Sequence, residues 1–372
     1  MSNRPKIGGS KSTRNPNILE KVKTPARIRM FHHVGDLSGC GTIRVVIPSM
    51  ILNNYYSELY QFESMYDNRY QPYPGAYRDC SYVTFQRSAT PQQLGMIKHF
   101  KASNPGKRVI YEIDDNLLSI PEWNFASKFY TANIKSIEEI MRTVDGIVCS
   151  TEELARFLSK YNGNISVSPN CLPKFIWGEP TPKQPSDKKE KVRIMYAGSH
   201  NHFEQNGDRG DFDKTLIDYV KKTIDEYQWI FVGGMPHSLK GDDRIENYFW
   251  RPVIEYPGFL KSLRPDIFLA PLDRNYFNEC KSNIKALEAA ALGVPLIATN
   301  IEPYRNLSHT ASTTEYFIGL LDNLACIDTE GRNGVWQIQY EALKDQLFWE
   351  DNNHKNLLNY VNKHLRLIGK EL

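Results

Sequence analysis

Three polar side chains follow one another at intervals of three residues in the last third of the chain: Ser282, Lys285 and Glu288. Residues three apart in a helix share one face, so a hydroxyl, an ammonium and a carboxylate would point the same way. A hydroxyl and an ammonium near a helix N-terminus can bind an anion such as a phosphate. A glutamate one turn deeper could accept hydrogen bonds from sugar hydroxyls. The competing interpretation is an amphipathic helix whose polar face meets solvent.

The sequence around these residues predicts the elements that would position them. Residues 282–292 are rich in Ala, Leu, Lys and Glu, without an interior Gly or Pro, which favours a helix. Gly293 would end it, and residues 266–272 and 294–298 are typical of short buried strands. Strand, loop, helix and strand in this order indicate a parallel α/β sheet, which binds ligands beyond the carboxyl ends of its strands.

A glycine-bearing loop, with Gly39 and Gly41, follows a predicted first strand at residues 28–33. Glycines between a strand and a helix let backbone N–H groups approach an anion closely. A helix is predicted over residues 42–52, and Pro48 should kink it or end it early.

A second junction of this kind is Gly198-Ser199, after a predicted strand at residues 192–197. The glycine and the small hydroxyl could likewise meet a phosphate. His200 and His202 come next, but no third ligand has a recognisable metal spacing, so they are interpreted as loop histidines.

Two adjacent carboxylates, Asp114 and Asp115, follow a predicted strand at residues 108–113. That position is where α/β sheets hold ligands. Asp115 is the candidate for orienting an acceptor hydroxyl or taking its proton, although Asp114, His32 and His33 could reach the same space. The alternative is that the two acids cap a helix or anchor a loop.

Several of these segments resemble the retaining GT-B glycosyltransferases, in particular their short phage-type members. The resemblance rests on the Ser-x-x-Lys-x-x-Glu helix with its Gly-x-Pro end in residues 278–299, on the string Tyr-Glu-Ile-Asp-Asp-Asn-Leu at residues 111–117, and on the strand ending in Pro169-Asn170. It implies an α/β chain with two Rossmann-like domains that face a cleft.

The resemblance also implies roles for the candidate residues. Glu288 would hold the ribose of a nucleotide-sugar donor, and Ser282 and Lys285 its diphosphate, with Lys285 acting catalytically on the leaving group. Cys280 departs from the pattern, because larger relatives carry a second glutamate there. Contacts to the transferred sugar therefore stay open.

In such enzymes the Gly39–Gly41 loop would face the donor diphosphate across the cleft, and the Gly198-Ser199 loop would contact it. Residues 250–255, with Trp250 and Glu255, fall where the nucleotide base would bind. A planar aromatic beside an Arg suits stacking on a base. A tryptophan buried against the sheet is the alternative.

The predicted organisation has five parts. They are a basic disordered tail (1–26), an acceptor-side Rossmann-like domain (27–170), a proline-rich linker (171–191), a nucleotide-sugar-binding Rossmann-like domain (192–335) and C-terminal helices that could cross back to the first domain (336–372).

Composition limits the class of protein and its compartment. The 372 residues are 41% hydrophobic and 24% charged, as in a globular protein, with no apolar run of membrane-spanning length and no secretory signal. Six scattered cysteines without a Cys-x-x-Cys pair predict free thiols in a reducing, cytoplasmic compartment and no structural zinc.

The start of the chain is strongly basic. Residues 1–29 hold eight Lys or Arg and one Glu, a charge of +7, so the remainder carries −4 of the total of +3. Such a tail could contact nucleic-acid phosphates, or it could be a solubilising leader.

The predicted activity is transfer of a sugar from a nucleotide sugar to a hydroxyl, with retention and with no metal or other cofactor. The favoured acceptor is a hydroxymethylated pyrimidine in duplex phage DNA. The alternatives are a cell-surface glycan acceptor and a non-catalytic GT-B module for nucleic acid or assembly.

Overall fold

Two six-stranded sheets organise the computed structural model, which describes residues 28–65, 80–185 and 190–366. Neighbouring strands are parallel within both sheets. The α/β class predicted from the sequence is therefore confirmed. The basic segment 1–26 lies outside the described residues, so its disorder stays a prediction.

The first sheet occupies the N-terminal half. Its strands are β1 (Ile28–His33), β2 (Tyr60–Met65), β3 (Cys80–Gln86), β4 (Arg108–Ile113), β5 (Gly146–Cys149) and β6 (Ile165–Val167). They lie in the order β2-β1-β3-β4-β5-β6. The order reverses between β1 and β3, so ligands are expected beyond the carboxyl ends of these two strands.

The second sheet follows in the same way. Its strands are β7 (Arg193–Gly198), β8 (Gln228–Gly233), β9 (Glu246–Tyr248), β10 (Ile267–Ala270), β11 (Leu296–Thr299) and β12 (Thr310–Ala311). The order β12-β11-β10-β7-β8-β9 is that of a Rossmann sheet, with its switch point between β7 and β10.

Helices connect the strands. They are α1 (Gly39–Gly41), α2 (Ile47–Tyr56), α3 (Pro91–Ser103), α4 (Ser127–Ala132), α5 (Ile134–Thr143), α6 (Glu152–Leu158), α7 (Lys174–Trp177), α8 (Lys214–Thr223), α9 (Tyr256–Ser262), α10 (Tyr276–Glu279), α11 (Ile284–Leu292), α12 (Thr314–Cys326), α13 (Thr329–Leu347) and α14 (His354–Arg366). Among the described residues, no helix is long and apolar enough to cross a membrane.

The helix around Pro48 differs from its prediction. A π-helical stretch, Thr42–Val46, leads into α2, and Pro48 lies in the first turn of α2. The backbone is already helical at Val46 and Ile47, so Pro48 lies within one continuous helical run, directly after a π-helical turn whose local distortion accommodates it. The helix therefore continues to Tyr56 instead of ending early.

The segment after the first sheet packs on the second half of the chain. Leu172 N donates to Leu347 O at 2.7 Å, and Leu172 itself is buried. Gly293, which ends α11 at φ +78°, lies so close to this segment that a Cβ there would be 2.0 Å from Thr181 O. Only glycine meets both conditions at that helix end.

The last helix, α14, returns to the first sheet. Its Leu357 and Val361 are buried in one apolar cluster with Met30 of β1 and Ile51 of α2. Tyr60 OH donates to Asn362 Oδ1 at 2.6 Å. The C-terminal helix thus holds the N-terminal half against the second half of the chain.

Candidate nucleotide-sugar site

Helix α11 is buried along nearly its whole length. Lys285 is only 7% exposed and Glu288 only 8%, so the interpretation of a polar face that meets solvent is wrong. The helix begins at Ile284, with Ser282 in the loop before it. Ser282 therefore precedes the first turn, instead of lying within the helix as the sequence predicted. Burying two charges is costly without compensation, so this helix is unlike an ordinary structural one.

Lys285 reaches the carboxyl end of β7. Its ammonium donates to Ala197 O and lies 4.8 Å from the centroid of the Tyr196 ring. A Cβ on Gly198 would be 2.8 Å from Lys285 Nζ, so glycine leaves the space that the ammonium occupies. The cation therefore lies at the switch point of the second sheet, where the fold is expected to hold a ligand.

Glu288 and Lys285 shift each other's titration. Burial lowers the pKa of Lys285 to about 8, against the pull of the Glu288 carboxylate. Burial also raises the pKa of Glu288 to about 7, opposed by Lys285 and by a hydrogen bond from Tyr256. Buried groups with perturbed pKa values at the carboxyl end of a strand are typical of functional sites.

The predicted base-binding segment lies mostly at the surface. Trp250 is 45% exposed, so it is not buried against the sheet, and the Arg251 guanidinium lies 4.9 Å from the Phe259 ring centroid. Glu255 is exposed at the N-cap of α9. The next residue, Tyr256, is the one that contacts Glu288, and no periodic pattern in the sequence singles it out.

Two loops cross closely beside Lys285. Gly234 N donates to Gly198 O at 2.8 Å, and a Cβ on Gly233 would lie 2.3 Å from the same oxygen. Gly233 has φ +94°, which favours glycine as well. Ser199 is exposed at this crossing, so its hydroxyl is accessible to a ligand.

Around His202 the structure groups residues that the sequence did not connect. His202 Nδ1 hydrogen-bonds the Asp211 carboxylate and lies 3.5 Å from Lys281 Nζ. Burial, reinforced by Lys281, lowers the pKa of His202 to about 4, so the ring is neutral at pH 7. His202 therefore belongs to a polar cluster with Asp211 and Lys281, whereas His200 is exposed. No group of three or more potential metal ligands occurs among the described residues.

A second cluster of charges surrounds Arg87 at the carboxyl ends of β3 and β4 in the first sheet. This is the acceptor edge, and the surroundings of Lys285 and Glu288 are the donor edge. Arg87 Nε lies 3.4 Å from Asp114 Oδ1, Nη2 lies 3.4 Å from Asp115 Oδ2, and Nη1 donates to Cys40 Sγ at 2.9 Å. Burial and the Asp114 charge raise the pKa of Asp115, while Arg87 and Lys281 oppose the rise. A carboxylate with a raised pKa is a better proton acceptor near neutral pH.

The two histidines of β1 pack inside the first sheet. The His33 ring stacks on Phe85 at a centroid distance of 4.7 Å and is 2% exposed. His32 is 7% exposed, and burial lowers its pKa to about 4. Of the four acceptor-side candidates, the two aspartates are the ones grouped with a cation at the strand ends.

The loop with Gly39 and Gly41 is closed by its own side chains. Gly41 N donates to Asp36 Oδ1 at 3.1 Å, and a Cβ there would lie 1.8 Å from Asp36 O. Gly35 N donates to Gln86 Oε1 at 2.9 Å. The expectation that Gly41 offers its N–H to an anion does not hold in this conformation. Gly39, with nothing within 4 Å of a Cβ, adjoins open space.

Cys280 joins the two edges. Asn116 Nδ2 lies 3.6 Å from Cys280 Sγ, and Thr151 Oγ1 donates to Cys280 O at 2.9 Å. Burial raises the thiol pKa to about 11, so it stays protonated. The position where larger relatives carry a glutamate is thus a contact between the two halves, and it brings the loop after β4 next to the loop before α11.

A cleft of about 610 Å³ opens between the two halves of the chain. It lies between Trp123 of the first half and the segment from Asp208 to Lys221 of the second. Its walls do not include Ser282, Lys285 or Glu288. We place the candidate site by the buried charges, because the cleft itself carries mostly exposed, locally paired ones.

Two parallel sheets with Rossmann-type crossovers, whose carboxyl-end loops meet across a contact, define the GT-B fold. An alpha-glucosyltransferase in complex with UDP has this fold at a TM-score of 0.59 and 11% identity, over 92% of this chain and 100% of that one. Another alpha-glucosyltransferase, in complex with UDP and a 13-mer DNA containing an HMU base, gives a TM-score of 0.56 at 13% identity. That match covers 92% of this chain and 99% of the other.

A UDP-forming α,α-trehalose-phosphate synthase from Burkholderia xenovorans gives a TM-score of 0.52 at 11% identity, over 89% of this chain and 85% of that one. No protein-family model matches the sequence, and no curated protein does. The likeness to solved structures therefore establishes the fold, and the resemblance read from the sequence is confirmed at that level.

Proposed function

We propose that this protein transfers a sugar from a nucleotide sugar to a hydroxyl, with retention at the anomeric carbon. The observation that carries the proposal is the buried pair of Lys285 and Glu288 at the switch point of the second sheet. Asp115 lies across the contact between the two halves, within the electrostatic reach of Lys281.

The charges suit the two ends of that reaction. As the bond from the anomeric carbon to the diphosphate breaks, negative charge grows on the leaving group, and the Lys285 ammonium and the Ser282 hydroxyl would stabilise it. Glu288 would accept hydrogen bonds from the ribose hydroxyls. Ser199 and the exposed Trp250 would contact the phosphates and the base. A fixed ammonium can perform this task without a metal ion.

On the acceptor side, the hydroxyl oxygen forms the new bond to the anomeric carbon and its proton passes to Asp115. The raised pKa of Asp115 favours that transfer near neutral pH. Arg87 would hold the carboxylate in position.

The acceptor we propose is a hydroxymethylated pyrimidine in duplex DNA. One of the solved alpha-glucosyltransferases that share the fold is bound to UDP and to DNA containing an HMU base. The basic residues at the start of the chain are compatible with DNA phosphates. The cysteines of the described residues form no disulfide, which fits action in a reducing cytoplasm, in a phage-infected or bacterial cell.

Release of nucleoside diphosphate from a panel of nucleotide sugars, beginning with UDP-sugars, tests the enzyme class. Digestion of treated DNA to nucleosides, followed by mass spectrometry, tests the acceptor. We expect a hexose or pentose mass shift only in DNA with hydroxymethylated pyrimidines, and none in unmodified DNA. Release of nucleoside diphosphate that requires a glycan, and not DNA, would show that the acceptor is a glycan. The absence of both binding and release for every nucleotide would leave a non-catalytic module.

A further inference from the structure

Arg44 is a buried cation that the proposed reaction does not yet use. It lies in the π-helical stretch before α2 and is 8% exposed. Its Nε donates to Glu112 Oε1 at 2.7 Å, while Nη1 donates to Ser168 O at 2.6 Å and to Asn170 Oδ1 at 2.8 Å. The guanidinium therefore joins β4 to the end of the first sheet's domain.

Asn170 connects Arg44 to the loop before α11 by a second hydrogen bond. Its Nδ2 donates to Ser282 Oγ at 2.7 Å. A guanidinium can only donate, so the amide oxygen of Asn170 must face Arg44 and the amide nitrogen must face Ser282. The orientation of the amide is thus fixed by chemistry and is not an arbitrary choice between oxygen and nitrogen.

The same reasoning fixes the direction of the Ser282 hydroxyl. Its oxygen accepts from Asn170, so its proton is directed elsewhere and is free to be donated. Diphosphate oxygens only accept hydrogen bonds. A hydroxyl held as a donor matches them, whereas a freely rotating one would have to be ordered at each binding event.

We propose that Arg44 and Asn170 are positioning residues which hold Ser282 as a hydrogen-bond donor to a nucleoside diphosphate. The inference rests on the proposed donor-binding role of Ser282. Gln346 of α13 supports the arrangement, because its Nε2 donates to Asn170 O at 3.0 Å and to Asn283 Oδ1 at 3.1 Å. This chain of hydrogen bonds, from Glu112 of β4 through Arg44 and Asn170 to Ser282, is called the relay below.

Asn170→Asp is the strongest perturbation, because it keeps the shape, replaces the amide donor that faces Ser282 with an acceptor and adds a negative charge. A carboxylate facing Ser282 would accept the serine proton and turn it away from the ligand. We expect the affinity for UDP, or for whichever nucleoside diphosphate the wild type binds, to fall about a hundredfold. Asn170→Ala, which only releases the hydroxyl, should cost about fivefold. Affinity for the nucleoside without phosphates should change for neither variant.

A double-mutant cycle separates this role from a structural one. In a Ser282→Ala background, Asn170→Ala should have no further effect on diphosphate affinity. Arg44→Lys should behave like Asn170→Ala, because lysine lacks the planar fork that places Nε toward Glu112 and Nη1 toward Asn170.

Asn162→Ala is the matched control, since Asn162 Nδ2 donates to Met141 O and Val144 O away from the donor loop. It should lower the melting temperature and leave diphosphate affinity unchanged. If Asn170→Asp does not fold, Asn170→Ala and its cycle still decide.

A wild type that binds no nucleoside diphosphate would overturn the proposed function. A wild type that binds one, with Asn170 variants that bind it equally well or lose nucleoside affinity in parallel, would overturn the relay alone.

Discussion

The two edges that meet across the contact are built in opposite ways. On the donor edge, Lys285 and Glu288 lie on a regular buried helix that ends at a left-handed glycine. On the acceptor edge, Asp114 and Asp115 follow a strand, and Arg87 joins them from a neighbouring loop with φ +50°. A helical period places the first set of charges, and the geometry of two loops places the second.

The electrostatic balance of the edges differs as well. The donor edge combines opposite charges, with Lys281 nearby, so it can accept a diphosphate without leaving a buried cation unpaired. At the acceptor edge two carboxylates share one guanidinium, and burial with this crowding raises the pKa of Asp115. One edge is therefore suited to hold an anion and the other to take up a proton.

Lys285→Ala should have the largest effect on the donor edge. Removing the buried ammonium takes away the positive charge that faces the leaving diphosphate. We expect turnover to fall by about two to three orders of magnitude, as for loss of one oxyanion donor. Steady-state release of nucleoside diphosphate measures this directly.

Lys261→Ala is the control for that variant, because the Lys261 ammonium also donates to a backbone carbonyl, that of Trp177. It should leave turnover near the wild-type value. Near-normal turnover in Lys285→Ala would remove Lys285 from the mechanism.

The unequal predictability of the two edges follows from this difference. Ser282, Lys285 and Glu288 were singled out by spacing, and Gly293 by its place after a helix-forming segment. Burial of the pair does not follow from spacing, because it depends on tertiary packing of α11 against β7 and α9. Tyr256 contacts Glu288 through tertiary structure, which no local period encodes.

On the acceptor edge, the sequence located the aspartates but not their partner. Arg87 follows β3 and reaches Asp114 and Asp115 because β3 and β4 are neighbours in the sheet. The short strands β9 and β12 were not predicted, since three and two residues are too few for a period to show.

Asp115→Asn should separate the edges most clearly. Losing the proton acceptor should reduce transfer to the acceptor about a hundredfold. Affinity for nucleoside diphosphate, measured by calorimetry, should stay within about twofold, because the donor edge is untouched. Asp114→Asn is the comparison. If Asp114→Asn loses transfer and Asp115→Asn does not, the role belongs to Asp114.

Glu288→Gln should weaken the donor complex without the sugar being present. A carboxylate that accepts from ribose hydroxyls should contribute about 1–3 kcal/mol to nucleoside diphosphate binding. Calorimetry with a ribose and a 2′-deoxyribose nucleotide measures the loss. The wild type should prefer the ribose form and the variant should not. An equal preference in both proteins would place Glu288 outside the ribose site.

The pH dependence of nucleoside diphosphate binding should report Lys285. With its pKa lowered to about 8, the free protein loses this charge as the pH rises through 8, and the bound diphosphate raises the pKa again. Affinity should therefore fall by up to about tenfold per pH unit above 8, with proton uptake on binding. Titrations in two buffers of different ionisation enthalpy measure that uptake. Lys285→Ala should show no such decline.

Deleting residues 1–26 should affect the acceptor edge alone and by the smallest amount. The deletion removes six cations, Arg4, Lys6, Lys11, Arg14, Lys21 and Lys23. Each phosphate that a protein neutralises on duplex DNA contributes about 0.9 to the slope of log affinity against log salt. Because not every cation engages at once, the slope should flatten by roughly two to four units.

Hydrolysis of the nucleotide sugar into water should stay unchanged in the same truncated protein, because Lys285 and Glu288 lie in the second half of the chain. Phosphate contacts add affinity without sequence preference, so discrimination between modified and unmodified DNA should persist as well. Equal salt slopes for full-length and truncated protein would remove the DNA-guiding role of this segment. Weak DNA binding by both would favour a glycan acceptor, with the donor edge still intact.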